Sequence, residues 1–170
     1  ASEREQRLAI ELKKIAHKFD YILIDCPPSL NMLTVNAFVA SDGVLIPMQC
    51  EYYALEGLSA LNNTIMKISR QINPRLQIEG ILRTMYDPRS SLTNAVSAQL
   101  RKYFDDKIYR VSIPRNVRLA EAPSHGMPAL AYDKNSKGAI AYLALAVEIL
   151  KRANTDAQIK GATGAQTNDQ

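Results

Sequence analysis

The stretch that most constrains this chain is Tyr21-Ile22-Leu23-Ile24-Asp25-Cys26-Pro27-Pro28-Ser29, an apolar run that ends in a carboxylate and then two prolines. A short apolar run bounded by breakers reads as a strand buried on both faces, as in a parallel sheet. That reading delivers Asp25 to the carboxyl end of a strand, where open α/β folds keep their ligands. Pro27 and Pro28 each lack a backbone donor and fix φ, so they stop the strand and stiffen the turn beyond it.

The flanking segments alternate between helical and strand periods. Residues 3–18 read as a helix with Leu8, Leu12 and Ile15 on one face, residues 30–40 as a second, and Val44-Leu45-Ile46-Pro47 as another buried strand. From 54 to 72, Leu58, Leu61, Ile65, Ile68 and Ile72 recur at three- and four-residue steps, which makes one apolar stripe suited to core packing. Asn73-Pro74 ends it, and residues 77–83 read as a strand interrupted by Gly80, where a helix or ligand approaches the backbone. Leu92, Val96, Leu100 and Phe104 then mark a helix over 91–104, before a short strand at 108–112. Strands alternating with helices predict an α/β fold, a mostly parallel sheet with helices on both faces.

At 170 residues, 46% of them hydrophobic and 22% charged, the chain suits one core, with residues 1–152 as a single domain. Beyond Arg152 the only large apolar residue is Ile159, so 153–170 reads as a disordered tail. No apolar run approaches the roughly 20 residues of a membrane-spanning helix, and no secretory pattern is present, which predicts a soluble intracellular protein. Cys26 and Cys50 have no close cysteine or histidine at metal-ligand spacing and read as reduced, partly buried thiols. Charge is uneven: residues 1–60 carry 5 basic and 8 acidic side chains, and residues 61–170 carry 16 and 9. The later part therefore has the composition of a basic face for a polyanion, although charge alone favours a solvated surface.

Three runs carry a resemblance. Asp20-Tyr-Ile-Leu-Ile-Asp-Cys-Pro-Pro-Ser-Leu30, Ile46-Pro-Met-Gln-Cys-Glu-Tyr-Tyr-Ala-Leu-Glu-Gly57 and Ile113-Pro-Arg-Asn-Val-Arg-Leu-Ala-Glu-Ala-Pro-Ser-His-Gly126 are closely similar, in order, to the ParA/Soj family. These are chromosome- and plasmid-partitioning ATPases of the deviant Walker P-loop type, and the resemblance covers about residues 8 to 152. The family opens with a strand and a Gly-rich phosphate loop, and no G-x-x-x-x-G-K-[ST] occurs in this chain. The expectation is therefore a carboxy-terminal portion of a P-loop-type domain, without its first strand and phosphate loop and inactive alone.

The resemblance implies ATP and Mg²⁺ as cofactors, with Asp25 as the Walker B carboxylate of the metal shell and Pro27 in the segment that moves when the γ-phosphate is lost. It places adenine between Thr84-Met85 and Pro114-Arg115-Asn116, where Met85 and Pro114 would supply apolar slabs. Gln49, Glu51 and Tyr52 fall near the expected site and dimer face. Arg89 and Arg118 occupy positions of nonspecific DNA contact in a homodimer, with ion pairs to Asp87 or Glu121, or solvation, as the alternative. Arg70, Lys102 and Lys107 would extend that patch. His125 sits in a turn, with no matching acid and nucleophile for catalysis. The implied partners are nucleoid DNA and a ParB-type protein, in the cytoplasm and away from membranes. Two other readings are a MinD-like membrane switch, which needs a basic amphipathic carboxy-terminal helix, and a non-enzymatic interaction module. An incomplete sheet also leaves apolar faces uncovered, which predicts a tendency to aggregate.

Overall fold

Backbone hydrogen bonding follows the alternation of the sequence for most of its length. In the computed structural model, residues 3–27 and 29–165 are described. The helices are α1 (Glu3–Lys13), α2 (Met32–Ala40), α3 (Ala54–Gln71), α4 (Ser91–Phe104), α5 (Val117–Glu121), α6 (Ala129–Tyr132) and α7 (Lys137–Ala165). The strands are β1 (Gly43–Gln49), β2 (Gln77–Tyr86) and β3 (Ile108–Pro114). They form one parallel sheet in the order β1-β2-β3, joined through α3 and α4. β1 and β3 are thus edge strands, and β1 accommodates Pro47, whose missing N–H an edge tolerates.

Two segments depart from expectation. Residues 21–27 carry no regular secondary structure and pair with no strand, and several of their apolar side chains face solvent: Tyr21 is 55% and Leu23 94% exposed. A strand is held by ladder hydrogen bonds to a neighbour, and apolar composition supplies the preference for burial without supplying that neighbour. The buried strand expected over 21–25 is therefore not formed. Pro28 lies outside the described residues. The segment 153–165, expected to lack regular structure, continues α7. Its composition lacks large apolar anchors and not helix propensity, since alanine, glutamine and lysine are good helix formers. Residues 166–170 lie outside the described residues.

The chain divides into two compact units. The first holds residues 1–46 and 53–81. There α1 packs on α2, and Asn36 ties them: its Oδ1 accepts from the Leu8 N–H at 3.3 Å and its Nδ2 donates to the Arg4 carbonyl at 2.9 Å. Asn31 caps α2, accepting from the N–H groups of Leu33 and Thr34. Leu58, Ile65 and Ile68 of the α3 stripe are buried as the spacing predicts. Asn73 ends α3 with its Nδ2 donating to the carbonyls of Phe38 and Ser41, at 2.9 and 2.7 Å.

The second unit holds residues 47–52 and 82–170. Leu82, Val96, Leu100, Ile108, Tyr109 and Ile113 form its core with Ala139 and Leu145 of α7. Ser90 caps α4 by accepting from the Thr93 N–H. Gly138 lets α7 approach α5, because a Cβ there would collide with the Leu119 side chain. A face of α7 carrying Ile140, Leu143, Val147 and Leu150 remains exposed.

Candidate functional site

The residues singled out from sequence fall in both units. In the first, Asp25 is exposed at the end of its unpaired segment, beside Pro27. Cys26 is half-buried, and its thiol is pushed up by burial and by the adjacent Asp25 carboxylate. A magnesium ion held mainly by nucleotide phosphates and water needs only one or two protein carboxylates, and the exposed Asp25 is a carboxylate that could serve as one. Among the described residues no group of three or more His, Cys, Asp and Glu side chains gathers that could hold a metal by itself. Asp25 thus fits a shared metal shell and not an all-protein cage.

In the second unit, Thr84 and Met85 lie at the end of β2, and Pro114, Arg115 and Asn116 follow from the end of β3. Because β2 and β3 are parallel neighbours, both groups stand at the carboxyl edge of the sheet. Met85 has φ of +50°, a left-handed conformation that costs a non-glycine residue about 1 kcal/mol or more, and its side chain is 41% exposed. Asn116 precedes α5 without capping it, and its Oδ1 is buried with no hydrogen-bond partner. Asn116 Oδ1 is thus an acceptor without a partner near the end of β3, and Met85 an exposed thioether near the end of the neighbouring β2. Gln49 ends β1 and its carbonyl accepts from the Glu51 N–H at 2.9 Å, while Tyr52 is exposed. Cys50 is buried, which pushes its thiol up against the lowering effect of Arg83.

Both arginines expected to meet phosphate are ion-paired. Arg89 grips Asp87 with Nε on Oδ1 at 3.0 Å and Nη2 on Oδ2 at 2.9 Å, and this bond, with that from the Arg89 N–H, lowers the Asp87 carboxyl to about 2. Arg118 donates from Nη1 to Glu121 Oε2 at 2.9 Å, and its Nε lies 3.4 Å from Asp133 Oδ2. The alternative of ion pairs with Asp87 and Glu121 is the geometry observed. Of the lower-ranked cations, Lys102 lies over the Tyr103 ring, Lys107 is half-buried, and Arg70 belongs to the first unit. His125 stacks on Tyr132 with ring centroids 4.9 Å apart.

Sequence reasoning passed over Arg83, which is 4% exposed. Its Nη1 donates to Ser97 Oγ, and its Nη2 to the carbonyls of Tyr109 and Arg110, each at 3.1 Å. It joins β2, α4 and β3 directly behind Thr84 and Met85. The available signal was a lone cation in the apolar run Gly80-Ile81-Leu82-Arg83, which only internal acceptors can satisfy. Glu148 and Arg152 were likewise passed over, since a helix-surface pair gives no hint that it caps a strand.

Residues 1–78 match a family model described as an AAA domain. The sporulation initiation inhibitor protein Soj of Bacillus subtilis strain 168 is 56% identical over 146 residues, 86% of this chain and 58% of that protein. The chromosome partitioning protein ParA of Caulobacter vibrioides is 50% identical over 163 residues, 95% of this chain and 61% of that protein. The chain thus spans little more than half the length of the curated relatives it matches. Among solved structures, cobyrinic acid a,c-diamide synthase from Mycobacterium smegmatis with bound ATP analog and magnesium superposes with TM-score 0.68 at 34% identity, over 84% of this chain and 52% of that one. The cell division ATPase MinD of Pyrococcus furiosus superposes with TM-score 0.70 at 27% identity, over 86% and 58%.

Proposed function

The chain belongs to the ParA/Soj family of partitioning ATPases, a P-loop ATPase family, and on that premise we propose that it is the base-binding and DNA-contacting part of a partition switch. Residues 1–152 act within an ATPase domain that uses ATP and Mg²⁺, dimerises on ATP and binds DNA without regard to sequence. A ParB-type partner stimulates hydrolysis, and the protein works in the cytoplasm on the nucleoid. Among the described residues no helix is long and apolar enough to cross a membrane.

What supports this reading is that Met85, with its left-handed backbone, and Asn116, with its unpartnered Oδ1, both lie at the carboxyl ends of adjacent strands. The exocyclic amino group of adenine donates to that oxygen, while Met85 and Pro114 cover the ring faces. Thr84 and Arg115 flank it, and Arg83 fixes the strand ends. Asp25 accepts from the metal's water shell, and Pro27 stiffens the connection to α2. Mg²⁺, when bound, neutralises charge developing on the phosphates. Arg89 and Arg118 contact DNA phosphates by forked, charge-assisted hydrogen bonds.

With no phosphate-loop motif in its sequence, the 170-residue chain alone gives no heat of Mg-ATP binding. Micromolar affinity by calorimetry overturns that expectation. The whole reading is tested by exchanging this chain for the matching span of Bacillus subtilis Soj. The chimera hydrolyses ATP and retains duplex DNA only with ATP, Asp25→Ala removes turnover, and Arg89→Glu removes DNA retention. A folded chimera whose turnover survives Asp25→Ala refutes the role given to that carboxylate.

A further inference from the structure

We propose that Glu121 and Asp133 form an acidic clamp that withholds Arg118 from phosphate, so that polyanion binding at this face is set by release of the clamp. The proposal rests on the reading of Arg118 as a phosphate contact and names the regulation of that contact.

A guanidinium presents its donors in a fixed fork, and a phosphate competes for the same N–H groups as a carboxylate. At Arg118 a carboxylate stands on each side of the fork, Glu121 of α5 accepting from Nη1 at 2.9 Å and Asp133 at the end of α6 lying 3.4 Å from Nε. Two carboxylates against one guanidinium leave the cluster with a net negative charge. Withdrawing Arg118 toward DNA would leave both carboxylates facing phosphate. Arg89 differs, because it meets a single carboxylate and Asp87 also feels Arg115.

The clamp is held ready by its surroundings. The Tyr132 hydroxyl donates to the same Glu121 Oε2 at 3.2 Å, and the Tyr132 ring stacks on His125. Gly126, at φ +63°, closes the turn that places His125, with its N–H on the Pro123 carbonyl at 3.0 Å. Asp133 is anchored too, its Oδ1 accepting from the Asn135 N–H at 3.1 Å. An isolated exposed ion pair contributes little, because its partners lose side-chain entropy when they meet. Here the carboxylates are already positioned, so the ordering cost falls mainly on Arg118 and their competition with phosphate is less diminished by it.

The test is anisotropy of a labelled mixed-sequence duplex titrated, at low ionic strength and with Mg-ATP present, with the chimera in which this chain replaces the matching span of Bacillus subtilis Soj. Glu121→Gln and Asp133→Asn keep the acceptors for Tyr132 and Asn135 while removing charge. Each should tighten binding about threefold, and the pair about tenfold. Adding Arg118→Ala to the pair should abolish the gain, and the Arg118 Nε–H resonance should lose its exchange protection when both carboxylates are neutralised. A gain that survives Arg118→Ala reflects net charge only and overturns the clamp, as does the absence of any gain. If Arg118→Glu alone leaves binding unchanged, or no variant binds, the phosphate reading itself falls and takes the clamp with it. If Arg118→Glu removes binding while neutralised carboxylates add nothing, the clamp alone falls.

Discussion

At β3 the sheet ends on a strand whose backbone is answered from both sides. Arg83 donates to the carbonyls of Tyr109 and Arg110, while the Glu148 carboxylate of α7 accepts from the N–H groups of Arg110 and Val111 at 2.9 and 3.0 Å. Arg152 completes the cover, with Nη2 on the Ile108 carbonyl at 2.7 Å and on Glu148 at 2.8 Å, and its guanidinium carbon 4.3 Å from the Tyr109 ring centroid. The run Tyr21–Asp25 is at least as apolar as β3, yet it pairs with no strand and exposes Tyr21, Ile22 and Leu23. An edge survives in water when side chains satisfy and charge it; an apolar run without such cover is a surface awaiting a partner.

The largest expected effect comes from removing the inner support of β3. Arg83→Met leaves Ser97 Oγ and two strand carbonyls without their donor, which costs about 2–3 kcal/mol although methionine fills much of the volume. Denaturant unfolding followed by circular dichroism measures it. A loss below about 1 kcal/mol would mean that β3 is held by apolar packing alone, and the contrast between β3 and the 21–25 run would lose one side.

The outer support is weaker and depends on pH. Burial raises the Glu148 carboxyl, but the N–H groups of Val111 and Arg110 and the Arg152 guanidinium outweigh it and lower it from its ordinary value of 4.5. A group depressed in the folded state contributes stability that is present above its unfolded value and lost as pH falls through the folded one. Glu148→Gln should therefore cost about 1–2 kcal/mol at pH 7, and the gap to the parent should close as pH falls below the ordinary glutamate range. A gap that stays constant with pH would show that the side chain's shape, and not its charge, protects the edge.

The contrast also explains what was legible in sequence. The α3 stripe, the Ser90-capped α4 and the alternation of strands with helices are local patterns, and the structure forms them where periodicity places them. Tyr21–Asp25 carries an equally clear local signal and is not a strand, because pairing depends on another segment. Of the site residues, Met85 and Asn116 were found through a motif, but the left-handed backbone of one and the orphaned oxygen of the other are visible only in three dimensions. The ion pair of Arg118 with Glu121 was legible from their spacing; the contribution of Asp133, fifteen positions away in sequence, was not.

The smallest expected effect on stability falls on the unsupported run. Leu23 is 94% exposed, so Leu23→Ser removes almost no buried surface and should change unfolding free energy by no more than about 0.5 kcal/mol. Its effect on association should be larger, since the exposed run Tyr21-Ile22-Leu23 combines apolar and aromatic side chains with no charge. Light scattering of concentrated chain should show less self-association in the variant, with thermal unfolding unchanged. The result that breaks the contrast is a destabilisation above about 1 kcal/mol. It would mean that Leu23 is buried in solution, and that a neighbour answers this run as Glu148 and Arg83 answer β3.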